Sequence, residues 1–263
     1  MTDMDKVKSW ESLQVFLQEQ AEQNERLFHY TTLESLMCII RNKSFRITRM
    51  DLMNDKAEKK LGNQKDRSEN YVMSFTQGKE YISMWAMYGR PSGIKLRLDF
   101  DRELFQKTIN NNFYRDSQLT RRIPVHNLDH KAIFSKSGWV LSDIVYLDKD
   151  KHLFKHNGGI FTEIDANEAM IENMAGFVKY DAWEFEKETR LSVNIRSDYE
   201  VKPEYPSHIY TGISKDLIKT FHVTFNPWLS DEMKKVVREG LKSVAHFDVP
   251  CDDSSNDGEI DEF

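Results

Sequence analysis

Cysteine is nearly absent: the 263 residues hold two, Cys38 and Cys251. Two thiols so far apart make neither a disulfide framework nor a metal-ligand spacing, which suits a reducing compartment. No apolar run approaches membrane-spanning length, and the start Met1-Thr2-Asp3-Met4-Asp5 lacks a basic region followed by an apolar one. The expectation is a soluble, cytoplasmic protein with no membrane partner. Charge of one sign is missing from the body as well. The net charge is -6, but Cys251 to Phe263 alone holds six acids and no Lys or Arg, and without them 37 basic groups face 37 acidic ones. A neutral body gives no whole-chain electrostatic case for nucleic-acid binding. The acidic end, with its Ser, Asn and Gly, reads as a disordered, solubilising tail.

The most recognisable catalytic motifs are lacking too. There is no Gly-x-Ser-x-Gly elbow, and Cys38 sits in an apolar helical stretch where a small core residue is expected. Gly89-Arg90-Pro91-Ser92-Gly93 has neither the lysine nor the length of a phosphate-binding loop. His126/His130 and His152/His156 keep the four-residue interval of a helical zinc motif, but in charged, loop-like sequence and without the motif glutamate. No metal is expected.

What the chain does contain is a mixture of helical and strand patterns, without internal repeats or low-complexity linkers. Trp10, Leu13, Phe16 and Leu17 recur at helical spacing. Leu27 to Tyr30 reads as a short buried strand. Thr31 with Glu34 forms a capping box for a helix through Ile40, which puts His29 at a strand-to-helix turn. Ser44–Thr48 and Tyr71–Phe75 read as strands, and Tyr81, Met84, Trp85 and Tyr88 as one face of a short helix. Ile94, Leu96, Leu98 and Phe100 alternate with polar residues as a clear strand. A helix over Asp101–Asn112 is followed by weakly patterned sequence to Ser137, a strand over Trp139–Leu147 and a helix face from Ala166 to Phe177. Ile209–Thr211 and His222–Phe225 read as strands, a helix capped by Ser230 follows, and Val244–Val249 reads as a last strand.

Trp183-Glu184-Phe185-Glu186-Lys187-Glu188-Thr189-Arg190-Leu191 then stands out, because an extended segment would put three carboxylates on one face ahead of an apolar run. Glu184 and Glu186 also suit a solvated edge, and Arg190 suits an ion pair that holds Glu188. His29 taken singly reads more readily as a buried histidine, and Trp85 and Tyr88 at helical spacing as core rather than a stacking platform.

His29-Tyr30-Thr31-Thr32-Leu33-Glu34-Ser35-Leu36, then Asn54-Asp55 with Glu58, Ser74-Phe75, Met84-Trp85 with Tyr88, Gly93 and the Trp183–Leu191 stretch occur in an order that resembles family 2971 among the bacterial domains of unknown function. Lys56 and Thr189 depart from that family's usual proline and aromatic. The pattern is similar, more distantly, to the ADP-ribosyltransferase superfamily, in which an early His or Arg, a middle Ser or aromatic motif and a late Glu surround the nicotinamide end of NAD. The resemblance implies an α+β fold, a single domain with an ADP-ribosyltransferase-like split β-sheet flanked by helices, over residues 27–250. Residues 1–26 would pack on it as a helix and 251–263 would form the tail. It implies Glu188, His29 and Glu186 as catalytic residues, and His29, Tyr30, Thr31, Ser74, Phe75, Trp85, Tyr88 and Arg190 as contacts to the nucleotide. NAD would be the substrate and a protein or nucleic acid the acceptor, as in a toxin or phage-defence effector. A non-catalytic nucleotide-sensing or partner-binding module is the competing expectation.

Overall fold

A computed structural model describes residues 6–53, 68–78, 80–88, 93–114, 134–148, 150, 152–162, 164, 176–197 and 207–256. The chain starts with α1 (Trp10–Gln23), β1 (Arg26–Thr32), α2 (Leu33–Asn42), β2 (Ser44–Arg49) and β3 (Asn70–Thr76). Next come α3 (Ile82–Met87), β4 (Lys95–Asp101), α4 (Arg102–Tyr114), β5 (Phe134–Asp143) and β6 (Val145–Asp148). β7 (Leu153–His156), β8 (Gly159–Phe161), β9 (Val178–Tyr180), β10 (Glu188–Ser197) and β11 (His208–Gly212) follow. α5 (Lys215–Lys219), β12 (His222–Phe225), α6 (Asp231–Ala245) and β13 (Cys251–Asp252) complete it. Helices beside open, mostly antiparallel sheets make the class α+β, as expected.

The chain divides into two compact units. The first comprises Met1–Asn24, Arg46–Ser74 and Asn111–Thr211, the second Glu25–Phe45, Phe75–Asn110 and Gly212–Phe263.

In the first unit, strands run in the order β11-β2-β3-β10-β5, and a smaller sheet has the order β8-β7-β6-β9. Helix α1 is started by Ser9, whose hydroxyl accepts from the Ser12 amide while Ser12 reaches back to the Ser9 amide. Its apolar stripe, Trp10, Leu13, Phe16 and Leu17, packs on Val145, Leu147, Phe154, Phe161 and Val178 of the smaller sheet. This amphipathic helix was legible from its spacing alone. The expected strand Trp139–Leu147 is interrupted at Ile144, so β5 pairs with β10 while β6 joins the smaller sheet.

In the second unit, β1, β4, β12 and β13 lie in that order, and Thr76 at the end of β3 pairs with Phe28. Leu27, Leu96, Leu98 and Phe100 are fully buried on one face. There Phe45, Phe75, Phe100, Phe105 and Phe221 form an aromatic core, with Phe45 and Phe100 centroids 5.3 Å apart. Three local expectations are corrected here. The α2 cap is Thr32, whose hydroxyl accepts from the Ser35 amide, so Thr31 stays in β1 and is buried. Cys38 is exposed rather than in the core, because Leu36, Ile39 and Ile40 make the buried face of α2. Val244–Val249 is no strand: α6 continues to Ala245 and ends at His246 in the left-handed conformation.

The acidic end also differs from a disordered tail as far as Asn256. Cys251 and Asp252 pair in parallel with Val223 and Thr224, Asp253 meets Lys234 at 2.8 Å, and Glu80 accepts from the Ser255 amide at 3.1 Å. These partners hold the segment against the second unit. Residues 257–263, the Asn54-Asp55-Glu58 motif, His126/His130 and the expected helix face from Ala166 to Met174 lie outside the described residues.

Candidate active site

The Trp183–Leu191 stretch is not extended throughout. Asp181–Glu186 is a 3-10 turn, Lys187 takes a left-handed backbone with φ 44°, and only then does β10 begin at Glu188. The three glutamates therefore do not share one strand face. Glu184 turns aside to Lys187 at 3.1 Å, while Glu186 and Glu188 are both only 2 % exposed.

β9 supplies the reason two carboxylates can be buried together. Its Lys179, 5 % exposed, donates to Glu186 Oε2 and lies 3.1 Å from Glu188 Oε2. The Lys179 ammonium also sits 5.2 Å from the Trp183 ring centroid. From β10 itself Arg190, with no exposure, grips Glu188 in a two-pronged bond, Nε to Oε1 at 2.7 Å and Nη2 to Oε2 at 3.0 Å. The other terminal nitrogen of Arg190 donates to the Gly176 carbonyl at 3.2 Å. Two cations and two carboxylates thus form a buried network without excess charge, the condition under which buried ions are tolerated.

Backbone contacts fix the head of β10. The Glu188 amide donates to the Tyr146 hydroxyl at 2.9 Å, and its carbonyl accepts from the Ile144 amide at 2.9 Å. Tyr146 pairs with Lys179 across β6 and β9, so the phenol and the ammonium arrive from neighbouring strands. Next along, Thr189 donates to Asp143 Oδ1 at 2.6 Å, and Asp143 Oδ2 meets His156 Nε2 at 3.0 Å. The network gives the hydroxyl at position 189 a role, as a short donor to the buried Asp143. His156, weighed in the sequence as half of a zinc pair, is instead this buried partner of Asp143.

Burial opposes the ionisation of Glu188, but the Arg190 and Lys179 charges and hydrogen bonds from Arg190 and Ser74 outweigh it and bring the carboxyl down to about 2. Glu188 is therefore an anion at any physiological pH. Burial, then the Glu188 charge, pushes the Tyr146 phenol well above its ordinary value, so that it keeps its proton.

The first unit thus gathers Ser74, Glu186, Glu188 and Arg190 of the sequence-derived set and adds Lys179 and Tyr146. Tyr146 carried no sequence signal beyond lying in the expected strand Trp139–Leu147, and Lys179 carried none. The remaining members lie in the second unit. His29 occupies the middle of β1 rather than a turn and packs edge-on to Phe75, with centroids 6.0 Å apart. Its face of β1 is set by Leu27, which alternation turns towards the phenylalanine core. Trp85 is wholly buried against Tyr30, at 4.8 Å, and its indole donates to Glu80. Tyr88, which caps α3, is 41 % exposed. Among the described residues no cluster of three or more His, Cys, Asp or Glu has the arrangement of a metal site.

Residues 84–191 match the family model DUF2971, described as a protein of unknown function. The family resemblance is borne out over that span. It contains Trp85, Tyr88, Glu186, Glu188 and Arg190, and ends before β10 does; His29 and Ser74 precede it. No curated protein matches the chain. Two solved structures of Thermus sp. 2.9 DarT align with 89 % of this chain and 97 % of theirs. The one in complex with carba-NAD+ has 11 % identity and a TM-score of 0.38, the one in complex with NAD+ 10 % and 0.40. Values that low carry no argument about chemistry. No helix among the described residues is long and apolar enough to cross a membrane.

Proposed function

We propose that this chain is an ADP-ribosyltransferase-like enzyme with NAD as its substrate, transferring ADP-ribose to a protein or nucleic-acid acceptor or to water. The observation that supports it most is Glu188, a buried carboxylate at the head of a strand, ionised down to a pH of about 2. Breaking the nicotinamide–ribose bond builds positive charge on the ribose ring and its anomeric carbon. A fixed anion beside that charge stabilises the transition state, the role carboxylates play in glycoside hydrolysis. Glu188 holds no proton to give, so its part is electrostatic, or that of an acceptor to a ribose hydroxyl, and not that of a general acid. Glu186 assists through Lys179, which both carboxylates share. Arg190 and Ser74 position Glu188.

In the second unit, His29, Tyr30, Thr31, Phe75 and Tyr88 are the proposed nucleotide contacts. Tyr88, the more exposed of the two helix aromatics, is proposed to stack on nicotinamide, and the buried Trp85 serves by holding α3. A cytoplasmic toxin or phage-defence effector is the setting this chemistry fits.

One observation favours a second reading. Both Glu188 oxygens are already engaged by Arg190 and Lys179, an arrangement that also serves a nucleotide sensor or partner-binding module that has lost turnover. Nicotinamide release from NAD by the purified chain, measured beside calorimetric NAD binding, separates the readings. The enzyme reading expects release, slowed about a hundredfold or more in Glu188→Gln, the scale of losing one preorganised electrostatic group. Binding without release selects the sensor, and neither binding nor release leaves a protein-interaction role.

A further inference from the structure

The face of β1 turned away from the phenylalanine core carries a cluster that Glu188 and its partners do not use. Antiparallel pairing sets Tyr30 opposite Arg97 and Phe28 opposite both Asp99 and Thr76. Directly paired residues point to the same side of a sheet, so Phe28, Tyr30, Thr76 and Arg97 are neighbours there. The Arg97 guanidinium lies 3.9 Å over the Phe28 ring and 6.0 Å from the Tyr30 ring centroid. Its Nη2 donates to the Gly78 carbonyl. Yet Arg97 Nε and Thr76 Oγ1 are buried without a hydrogen-bond partner, and the Tyr30 hydroxyl, reached by a hydrogen bond from the Tyr81 backbone, has no acceptor for its own proton, in residues 6, 6 and 9 % exposed. Native structures leave few such atoms unpaired, and three unused donors on one face of one sheet call for an explanation.

Arg97 also makes no ion pair among the described residues, because the acids near it are held by others. Asp99 is taken by Arg26 and by His222 Nδ1 at 2.9 Å. Glu80 accepts from the Trp85 indole at 2.6 Å, from the Ser254 hydroxyl, and from the Ser255 amide and hydroxyl. Burial pushes the Tyr30 phenol up to about 12, so it keeps a proton to donate. The cluster therefore offers a positive charge outside any ion pair among the described residues and three donors without acceptors, beside the Phe28 ring.

We propose that the Arg97, Tyr30 and Thr76 cluster is an oxyanion site for a phosphoryl group. Three donors suit the three oxygens of a phosphoryl group better than the two of a carboxylate, and a guanidinium is the cation whose planar donors match it. The phosphoryl group comes either from a nucleotide diphosphate or from free phosphate. The site does not need the role given to Glu188 and rests on the nucleotide reading only through Tyr30, proposed above as a nucleotide contact.

Calorimetric titration of the full chain with pyrophosphate, inorganic phosphate, ADP, ADP-ribose and acetate tests it. Binding of the phosphate probes is expected. It should weaken about tenfold in Thr76→Val and in Tyr30→Phe, the effect of one hydrogen bond to a charged ligand, and by at least as much in Arg97→Lys, which keeps the charge and loses the planar fork. Thr76→Val and Tyr30→Phe remove hydroxyls that donate to nothing in the fold, so both variants should stay folded. ADP or ADP-ribose binding tenfold tighter than pyrophosphate identifies a nucleotide as the source; equal affinities identify free phosphate. The proposal is overturned if the wild type binds none of the phosphate probes or prefers acetate. It is equally overturned if Thr76→Val and Tyr30→Phe bind pyrophosphate unchanged while their unfolding midpoints rise, the result for orphan hydroxyls without a ligand. Pyrophosphate carries no nicotinamide–ribose bond, so failure here and failure of the NAD reading are separate results.

Discussion

Replacing Glu188 by Gln should make the protein less stable at neutral pH and no less stable in strong acid. Glu188 is buried between Arg190 and Lys179, and its carboxyl is brought from an ordinary 4.5 to about 2. At about 1.4 kcal/mol per pH unit, this depression contributes about 3 kcal/mol to folding at neutral pH. An independent comparison gives the same scale, since removing one partner of a buried ion pair costs about 3–5 kcal/mol. Because the folded value lies below the unfolded one, the contribution is complete above about pH 4.5 and fades as the pH falls towards 2. Urea midpoints of wild type and Glu188→Gln between pH 2 and 7 read this directly, as the other acids titrate in both proteins and cancel in the difference. The gap should be about 3 kcal/mol at pH 7 and close nearly to zero by pH 2. A gap that stays constant across the range would refute the ion-pair account.

Thr189→Val keeps the volume and takes one hydrogen bond from the buried Asp143, which should cost about 2 kcal/mol in urea unfolding. Phe16→Ala removes the ring that meets Phe161 at 5.6 Å and His156 at 5.7 Å, and should lower stability by about 3–5 kcal/mol in the same assay. The thiols should differ sharply. Cys38 is exposed, whereas burial raises the half-buried Cys251 to about 11, so a chromogenic disulfide at pH 8 should titrate one thiol quickly and the second far more slowly. Two equally fast thiols would show that β13 does not hold Cys251.

Much of the fold was legible where a periodic pattern was long or a cap was strong. α1 follows from Trp10, Leu13, Phe16 and Leu17, β4 from its alternation, and α6 from Ser230 and the acids after it. The errors came where short segments have two local solutions. Thr31 and Thr32 are both cap residues, and the choice between them depends on β1 pairing through Thr32 with Lys95. At the site, Glu188 and its Arg190 partner were readable because they are two apart on one strand. Lys179 was not, since it reaches Glu186 and Glu188 only after the Asp181–Glu186 turn folds back. The acids of Cys251–Asn256 suggested disorder by composition, but pairing with β12 and the contacts to Glu80 and Lys234 are long-range and leave no mark in the local sequence.

The central claim is that Glu188 is the anion that stabilises the ribose cation when NAD is cleaved. Nicotinamide release by equal amounts of folded wild type and Glu188→Gln, at pH 7 and with saturating NAD, tests it most directly. The account predicts turnover by the wild type and a loss of about a hundredfold or more in the variant. Equal rates in the two proteins, or no release by the wild type, would contradict it.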